Sequence, residues 1–471
     1  MARSGTRSRV AIEITVGALA AAVLATATGF LLYVAGGGTQ PEDVLPAGAL
    51  GFARVDLDPS ADQKLAVQAI TDRLPDRPGV PQLDIKDDVI GGLLRANGVE
   101  YERDVRPWLA DRAGIAVYPG ATPGRGPQTL VALQYTDRER ARAALDRLVR
   151  TGPGAGLRAY GFVDGEDYVL LAADRAAIDA AGRAPDPLAD QQDYRDAVDE
   201  LTGNQIALAW LDLGRWGEAV GDSARDRTER VLGGDLAGTV VLGAHAEDGV
   251  AEVDGVVMGL SRSAASLLAG AGRADAGLIA QLPANTALAV GAAGLGSSLA
   301  DVYGRALDLG PRLVLGARAQ AYGLVLPADL VPLLGDQVAL AVLGPDQAGV
   351  VTRTADPTSA ERRARRVATA STAELGLPLD VQPRPDGVVL GTGGAVERLR
   401  TPGTTLADSS EFTRAVPGLP GSRLAVFVDA RAELPAGVPT LPDAVPVRSI
   451  GLTVRPDDDL VRFRLRVTFA P

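Results

Sequence analysis

The pattern of apolar and polar positions begins with a basic head, an uncharged apolar run and a glycine-rich stretch. Arg3, Arg7 and Arg9 precede the run, and residues from Ile14 to Val34 carry no charge. At about 1.5 Å per residue, a helix of that length spans roughly the 30 Å of a bilayer's hydrocarbon core. The pattern predicts a cytoplasmic head over residues 1–13, a transmembrane helix over 14–35 and a flexible tether over 36–43.

The arginines of the head also predict orientation. Positive charge is retained on the cytoplasmic side, so the remainder of the chain is expected outside. A cleaved signal peptide is the alternative, since Ala25-Thr26-Ala27 fits a small-x-small cleavage pattern. The apolar run continues from Phe30 through Val34, beyond the usual length of a signal peptide, and this favours an uncleaved anchor.

The body behind the tether alternates strand and helix patterns. Phe52 to Leu57 alternates with period 2, and Asp58-Pro59-Ser60 has the residue types that begin a helix. Asp137 to Arg150 has helical periodicity, and Gly238 to Met258 has the pattern of a β-hairpin turning at residues 247–249. Further strands are predicted at Thr129–Tyr135, Gln205–Leu213, Arg423–Val428, Ser449–Val454 and Leu460–Phe469. The fold class predicted is α+β, with helices packed on antiparallel or mixed sheets.

The body repeats its plan once. Leu45-Pro46-Ala47 is matched by Leu282-Pro283-Ala284, and Leu188-Ala189-Asp190 by Leu406-Ala407-Asp408. Other matched pairs keep the same order, and the spacing between partners shrinks steadily along the chain. This is the pattern of one duplication followed by small deletions. It predicts two homologous α+β domains, over residues 44–273 and 274–471.

Several motifs of the first half resemble a known family. Phe52 to Ser60, Asp104 to Leu109, Asp111 to Gly114 and Leu188 to Asp190 resemble domain of unknown function 3352. The second half keeps the plan but has lost most of the motif residues. The resemblance implies a membrane-anchored bacterial protein of this architecture. It implies no activity and no catalytic residues, because the family has none assigned.

Composition excludes several classes of function. The formal net charge of −12 argues against nucleic acid as a partner. The chain has no cysteine, so it forms neither disulfides nor thiolate metal sites, and a lipoprotein anchor is excluded. His245 is the only histidine, and no Gly-x-Ser-x-Gly motif accompanies it. We interpret His245 as a structural residue at a strand end, and a single histidine argues against a usual zinc site.

No residue is assigned to catalysis, to a cofactor or to a metal. Asp56 and Asp58 are weak candidates for metal binding, since they lie two apart and could share a hard cation such as calcium. The favoured interpretation is that Asp58 caps the following helix while Asp56 is solvated. Gly391-Thr392-Gly393-Gly394 lacks the motif of a phosphate-binding loop and is interpreted as a tight turn.

Three functions remain open. The favoured one is a non-enzymatic extracytoplasmic module that binds or scaffolds partners of the cell envelope, protein or lipid, without a cofactor. The second is a carrier or sensor that encloses an apolar or lipid ligand between the two domains. The third is a hydrolase that uses two carboxylates, although the sequence does not identify the pair.

The predicted topology can be tested with a reporter enzyme fused after Pro471. We expect a reporter that is active only outside the cytoplasm to be active, because three arginines hold the N-terminus inside. Activity of a reporter that works only in the cytoplasm would contradict the orientation.

Overall fold

The computed structural model describes residues 39–56, 61–71, 103, 105–120, 126–151, 158–220, 225–226, 229, 234–235, 237–261, 264–265, 274–305, 309–433, 446–457 and 460–470. The chain divides into two compact units. Unit 1 comprises Met1–Asp222 and Ala237–Val256, and unit 2 comprises Ser223–Leu236 and Val257–Pro471. Within the described ranges no helix has the length and apolarity to cross a bilayer. The anchor predicted over residues 14–35 lies outside them.

Unit 1 is built on an antiparallel sheet. Its strands, as far as the structure describes the unit, are β1 (Gly51–Asp56), β2 (Leu109–Tyr118), β3 (Gln128–Tyr135), β4 (Ala159–Phe162), β5 (Tyr168–Ala172), β6 (Ala207–Asp212), β7 (Thr239–Glu247) and β8 (Val250–Met258). They lie in the order β8-β7-β6-β1-β2-β3-β5-β4. The first strand is therefore central: Phe52 faces Ala116 of β2 on one side and Trp210 of β6 on the other.

Helices cover both faces of this sheet. They are α1 (Pro41–Val44), α2 (Ala61–Thr71), α3 (Arg138–Thr151), α4 (Arg175–Ala181), α5 (Gln192–Asp199) and α6 (Leu213–Val220). On one face, Ala141 and Leu145 of α3 pack with Trp108, Leu133 and Val169. On the other face, Tyr194 of α5 makes edge-to-face ring contacts with Phe52 and Trp210. These two cores bury the alternate positions of the strands, which explains their period-2 patterns.

Unit 2 has the same order of strands. Its strands are β9 (Leu288–Ala293), β10 (Gln337–Gly344), β11 (Gln347–Arg353), β12 (Asp380–Arg384), β13 (Gly387–Gly391), β14 (Leu424–Asp429), β15 (Val447–Asp457) and β16 (Leu460–Phe469). Its helices are α7 (Leu295–Arg305), α8 (Leu309–Ala321), α9 (Leu330–Leu334), α10 (Pro357–Leu375), α11 (Ala395–Arg400) and α12 (Ser410–Ala415). The order β16-β15-β14-β9-β10-β11-β13-β12 repeats that of unit 1 element by element.

The matched motifs occupy equivalent places in the two units. Leu188 and Leu406 each begin a short 3₁₀ turn, at Leu188–Asp190 and Leu406–Asp408. The backbone N–H of Leu188 donates to the carbonyl of Leu45, and that of Leu406 donates to the carbonyl of Leu282. In each unit, therefore, the segment before the first strand is held by the same turn.

The observed elements differ from the predicted ones mostly at their ends. The strand predicted at 52–57 is β1 at Gly51–Asp56, and the helix predicted at 137–150 is α3 at Arg138–Thr151. The cap predicted at Asp58-Pro59-Ser60 lies outside the described residues. Within the tether predicted over 36–43, Pro41 begins α1 and both Pro41 and Glu42 are buried, while residues 36–38 lie outside the described residues. The described strand pairs within both units are antiparallel, so these sheets are antiparallel and not mixed.

Candidate functional site

The candidate site of unit 1 lies beneath α1, where charged side chains are buried against the sheet. Pro41 at the first helical position and the carboxylate of Asp43, which accepts from the backbone N–H of Gln40 at 2.7 Å, begin this one-turn helix. Gly114 of β2 lets the helix approach, because a Cβ at that position would overlap the Pro41 ring. The close approach presses Glu42, the next residue, onto the sheet with 7% of its surface exposed.

Glu42 is held by two polar groups. The Tyr194 hydroxyl donates a hydrogen bond to Glu42 Oε1 at 2.9 Å, and Arg54 Nε lies 3.4 Å from the same oxygen. Arg54 Nη1 also donates to Gln40 Oε1 at 2.5 Å. The second carboxylate oxygen, Glu42 Oε2, is buried and has no hydrogen-bond partner among the described residues. The carboxylate is therefore only half satisfied, which is costly for a buried charge.

Arg112 is a further buried charged residue, and it contacts the backbone just before α1. Its side chain is 2% exposed; Nη1 donates to the Thr39 carbonyl at 2.7 Å, and Nη2 lies 4.0 Å from Asp56 Oδ2. The Tyr168 hydroxyl donates to the same carbonyl at 2.8 Å. Two side chains of the sheet thus fix the backbone immediately before α1. We call Glu42, Arg54, Arg112, Tyr168 and Tyr194 the polar cluster.

Burial controls protonation in the polar cluster. Removal from water raises the pKa of the Glu42 carboxyl above its ordinary value of 4.5, although the neighbouring Arg54 guanidinium opposes the shift. Burial also raises the pKa of the Tyr168 and Tyr194 hydroxyls, so both remain protonated and act as donors. Glu42 is enclosed and cannot contact a substrate in solution. The polar cluster can therefore position α1, at the cost of burying a charged group.

A groove of about 1250 Å³ begins where α1 ends. It is lined by residues 43–46 at the end of α1, by the terminal strand β4, by α4 and by residues 183–187. Leu170 and Ile178 supply apolar lining, whereas Arg158, Arg175 and Asp164 supply charged lining. Such a mixture of apolar and charged groups is typical of a binding surface. Asp43 joins the two features, because it caps α1 over the polar cluster and also lines the groove.

The edge of the sheet at this groove is only partly protected. In the described part of unit 1, β4 is terminal and pairs with β5. Arg175 Nη1 donates to the Tyr160 carbonyl at 3.2 Å, and the Arg138 guanidinium lies 4.8 Å from the centre of the Phe162 ring. The matching strand β12 of unit 2 contains Pro383, which lacks an N–H and is a common protection of edge strands. The edge of β4 carries no such residue.

Unit 2 has uncharged residues at three positions equivalent to those of the polar cluster. Glu42 lies three residues before Leu45, and the equivalent residue, three before Leu282, is Ile279. Arg54 is the fourth residue of β1, and the fourth residue of β9 is Gly291. The position of Tyr194 is taken by Phe412, whose ring centre lies 5.3 Å from that of Phe427. Asp56 faces Arg112 across the β1–β2 register, and Ala293 faces Gln337 across the β9–β10 register. Gln337 keeps a polar group at the position of Arg112: its amide donates to the Asp275 carbonyl at 2.7 Å and accepts from Arg353 Nη1 at 2.8 Å. The contacts among Glu42, Arg54 and Tyr194 are thus specific to unit 1.

His245 lies in a second polar group, on the β7–β8 hairpin. The ligand atoms of His245, Glu252 and Asp254 all lie within 4.8 Å of one another, and His245 Nε2 is 3.7 Å from Glu252 Oε1. All three residues also have other polar interactions, which a bound cation would have to displace. We therefore assign no metal to them. The sequence analysis considered His245 alone, although the tight turn at Asp248-Gly249 already places β7 and β8 side by side.

The two weak metal candidates are not brought together as a described site. Asp56 faces the Arg112 guanidinium, which competes with a cation for its carboxylate, and Asp58 lies outside the described residues. Sequence reasoning missed the polar cluster altogether. The available signal was the contrast between halves: Glu42, Arg54 and Tyr194 are polar where the repeat has isoleucine, glycine and phenylalanine.

Replacing Glu42 with glutamine should change how stability depends on pH. In the wild type, the pKa of the Glu42 carboxyl is higher in the folded state than in the unfolded state. Protonated Glu42 therefore contributes its full stabilisation below about pH 4.5, and this contribution is lost as the pH rises through the folded pKa. Glu42→Gln cannot titrate, so the free energy of unfolding of the variant minus that of the wild type, here called the margin, should increase as the pH rises over this window.

Urea unfolding of the full chain, followed by tryptophan fluorescence, measures this margin, because Trp108, Trp210 and Trp216 all lie in unit 1. Glu166→Gln, which replaces an acceptor for the Thr39 hydroxyl, is the control. A margin that shrinks with rising pH would contradict the assigned direction of the shift.

Comparison with known proteins identifies a family but no activity. The family model described as "Protein of unknown function (DUF3352)" matches residues 10–363. No curated protein matches the chain. A solved structure titled "Structure of crystal form I of TP0453" is similar with 10% identity and a TM-score of 0.24, over 49% of this chain and 85% of that chain. That similarity is too low to support an argument. The match over residues 10–363 shows that the chain belongs to the DUF3352 family, whose function is unknown.

Proposed function

We propose that the chain is a single-pass, membrane-anchored protein whose body lies outside the cytoplasm and binds an envelope partner without catalysis. The groove beside β4 carries this proposal, because it is open, large enough for an extended ligand and lined by both apolar and charged groups. The uncharged run from Ile14 to Val34, preceded by three arginines, supports the anchor and the orientation.

A duplication explains how the two units came to share one plan. The common order of strands and the equivalent 3₁₀ turns at Leu188 and Leu406 support two homologous domains. In this account the first domain carries the binding surface. The second retains the architecture with isoleucine, glycine and phenylalanine in place of Glu42, Arg54 and Tyr194, and with a proline on the matching edge strand.

The charged groups around the groove support binding rather than reaction. Arg175 is paired with Asp179 at 2.9 Å and also holds the Tyr160 carbonyl. Arg183 donates to the Asp179 carbonyl at 2.8 Å. Groups fixed in this way present a stable pattern of charge to a ligand. No feature of the described residues gives comparable support to the carrier or the hydrolase alternative.

Single cysteines in this cysteine-free chain test the proposal. Arg158→Cys places a thiol in the groove, and Asp248→Cys places one at the exposed tip of the β7–β8 hairpin in the same unit. Both should react in intact cells with a thiol reagent that does not cross membranes. We expect the groove cysteine to react several-fold more slowly in cells than in the purified chain, because its partner covers it.

The hairpin cysteine serves as the control and should react equally fast in both preparations. Equal rates for the groove cysteine in cells and in the purified chain would contradict an occupied groove. Failure of both cysteines to react in intact cells, with reaction after lysis, would contradict the extracytoplasmic location.

A further inference from the structure

Large apolar side chains are exposed on one helical region of unit 2. Ten such side chains are exposed among the described residues, and six of them belong to α7, α8, α9 and the segment between α8 and α9. They are Leu299, Leu313, Val314, Leu315, Val325 and Val331. We call these six residues the aliphatic patch. Single exposed leucines are ordinary, but a group of this kind marks an interaction surface.

The helix α8 is apolar on the side that faces solvent. Leu313 and Val314 are each 64% exposed and Leu315 is 42% exposed, whereas the small residue Ala319 is buried and Gly316 is half-buried. A surface helix normally has the opposite pattern, with its large apolar residues towards the core. The packing of unit 2 therefore does not explain why α8 carries leucine and valine at these positions.

The three helices form one connected surface. The Tyr303 hydroxyl of α7 donates to the Arg312 carbonyl of α8 at 3.0 Å. Gly296 of α7 lies so close to α9 that a Cβ there would be 2.8 Å from the Cα of Val331. These contacts fix α7 against both of its neighbours. Five of the six side chains of the aliphatic patch consequently belong to helices that are packed together, and Val325 belongs to the segment that joins two of them.

The charge of α8 is opposite to that of the whole chain. The chain has a formal net charge of −12, yet α8 contains two arginines, Arg312 and Arg318, and no acidic residue. Arg305, at the end of α7, adds no net charge, because its guanidinium lies 4.0 Å from Asp301 of the same helix. Anionic lipid headgroups attract arginines, and the acyl chains beneath them accommodate aliphatic side chains.

We infer that the aliphatic patch rests on the surface of an anionic phospholipid bilayer, with its side chains at the boundary between headgroups and acyl chains. This inference rests on the proposed membrane anchor, which would keep the body close to such a surface. Aliphatic side chains without aromatic or hydrogen-bonding partners suit a fluid lipid surface, which demands no fixed complementary shape. Helices that lie in this boundary bury their apolar face by roughly 5–10 Å.

The test uses the full chain reconstituted into vesicles of phosphatidylcholine with or without phosphatidylglycerol. Leu313→Cys is labelled with a fluorophore that reports polarity, and lipids carrying a nitroxide quench it if it enters the bilayer. Leu377→Cys is the matched control, since it is also an exposed leucine of unit 2 but lies outside the aliphatic patch. Both side chains are exposed, so the substitutions should not disturb folding.

We expect the label at position 313 to shift to the blue and to be quenched by the nitroxide lipids several-fold more than the label at 377. Phosphatidylglycerol should increase the effect, and Arg318→Glu should reduce it. Equal quenching at 313 and 377, in a chain that floats with the vesicles, would overturn the inference and leave the anchor intact.

A blue shift of the label at position 313 without quenching by the nitroxide lipids would indicate that a second copy of the chain covers the patch, and this too would overturn the inference. A chain that does not float with the vesicles would refute the membrane anchor itself. The two failures are therefore distinguishable.

Discussion

The structure of each unit depends on the position of its first strand. β1 pairs with both β2 and β6, so the strand that begins unit 1 is placed in the middle of its sheet. The residues before a central strand cannot continue along an edge and must cross a face of the sheet. In unit 1 this crossing segment is α1, held by the Leu188–Asp190 turn and pressed against Gly114. The same constraint acts on β9 in unit 2.

The crossing segment buries the side chain that lies between it and the sheet, and this side chain differs between the two units. Unit 2 places Ile279 over Gly291, whereas unit 1 places Glu42 beside Arg54 and Tyr194. A buried ion pair generally stabilises a fold no more than apolar residues of similar size. The apolar version in unit 2 forms the same strand order, so the architecture does not require the charge. Asp43, which caps α1 over the polar cluster, also lines the groove, so the polar cluster and the proposed binding surface share one helix.

The sequence predicts the local elements well, because their signals are local. The β7–β8 hairpin follows from the turn at Asp248-Gly249, and α3 follows from its apolar stripe at Ala141, Ala144 and Leu145. The polar cluster could not be predicted in this way, because the Tyr194 hydroxyl and Glu42 are 152 positions apart and meet only through the sheet. Glu42 also sat in a segment expected to be a tether, since four residues of helix give almost no periodic signal.

The most direct test of the central claim is to give unit 1 the residues of unit 2. Glu42→Ile alone leaves Arg54, whose side chain is 16% exposed, without its carboxylate. Removing one partner of a fully buried ion pair costs about 3–5 kcal/mol, and we expect a smaller loss of stability here. Glu42→Ile, Arg54→Gly and Tyr194→Phe together reproduce the apolar arrangement of Ile279, Gly291 and Phe412. Urea unfolding followed by the tryptophans of unit 1 should show the triple variant regaining the stability of the wild type. A triple variant as unstable as Glu42→Ile would show that the charges hold unit 1 together, and would contradict the account.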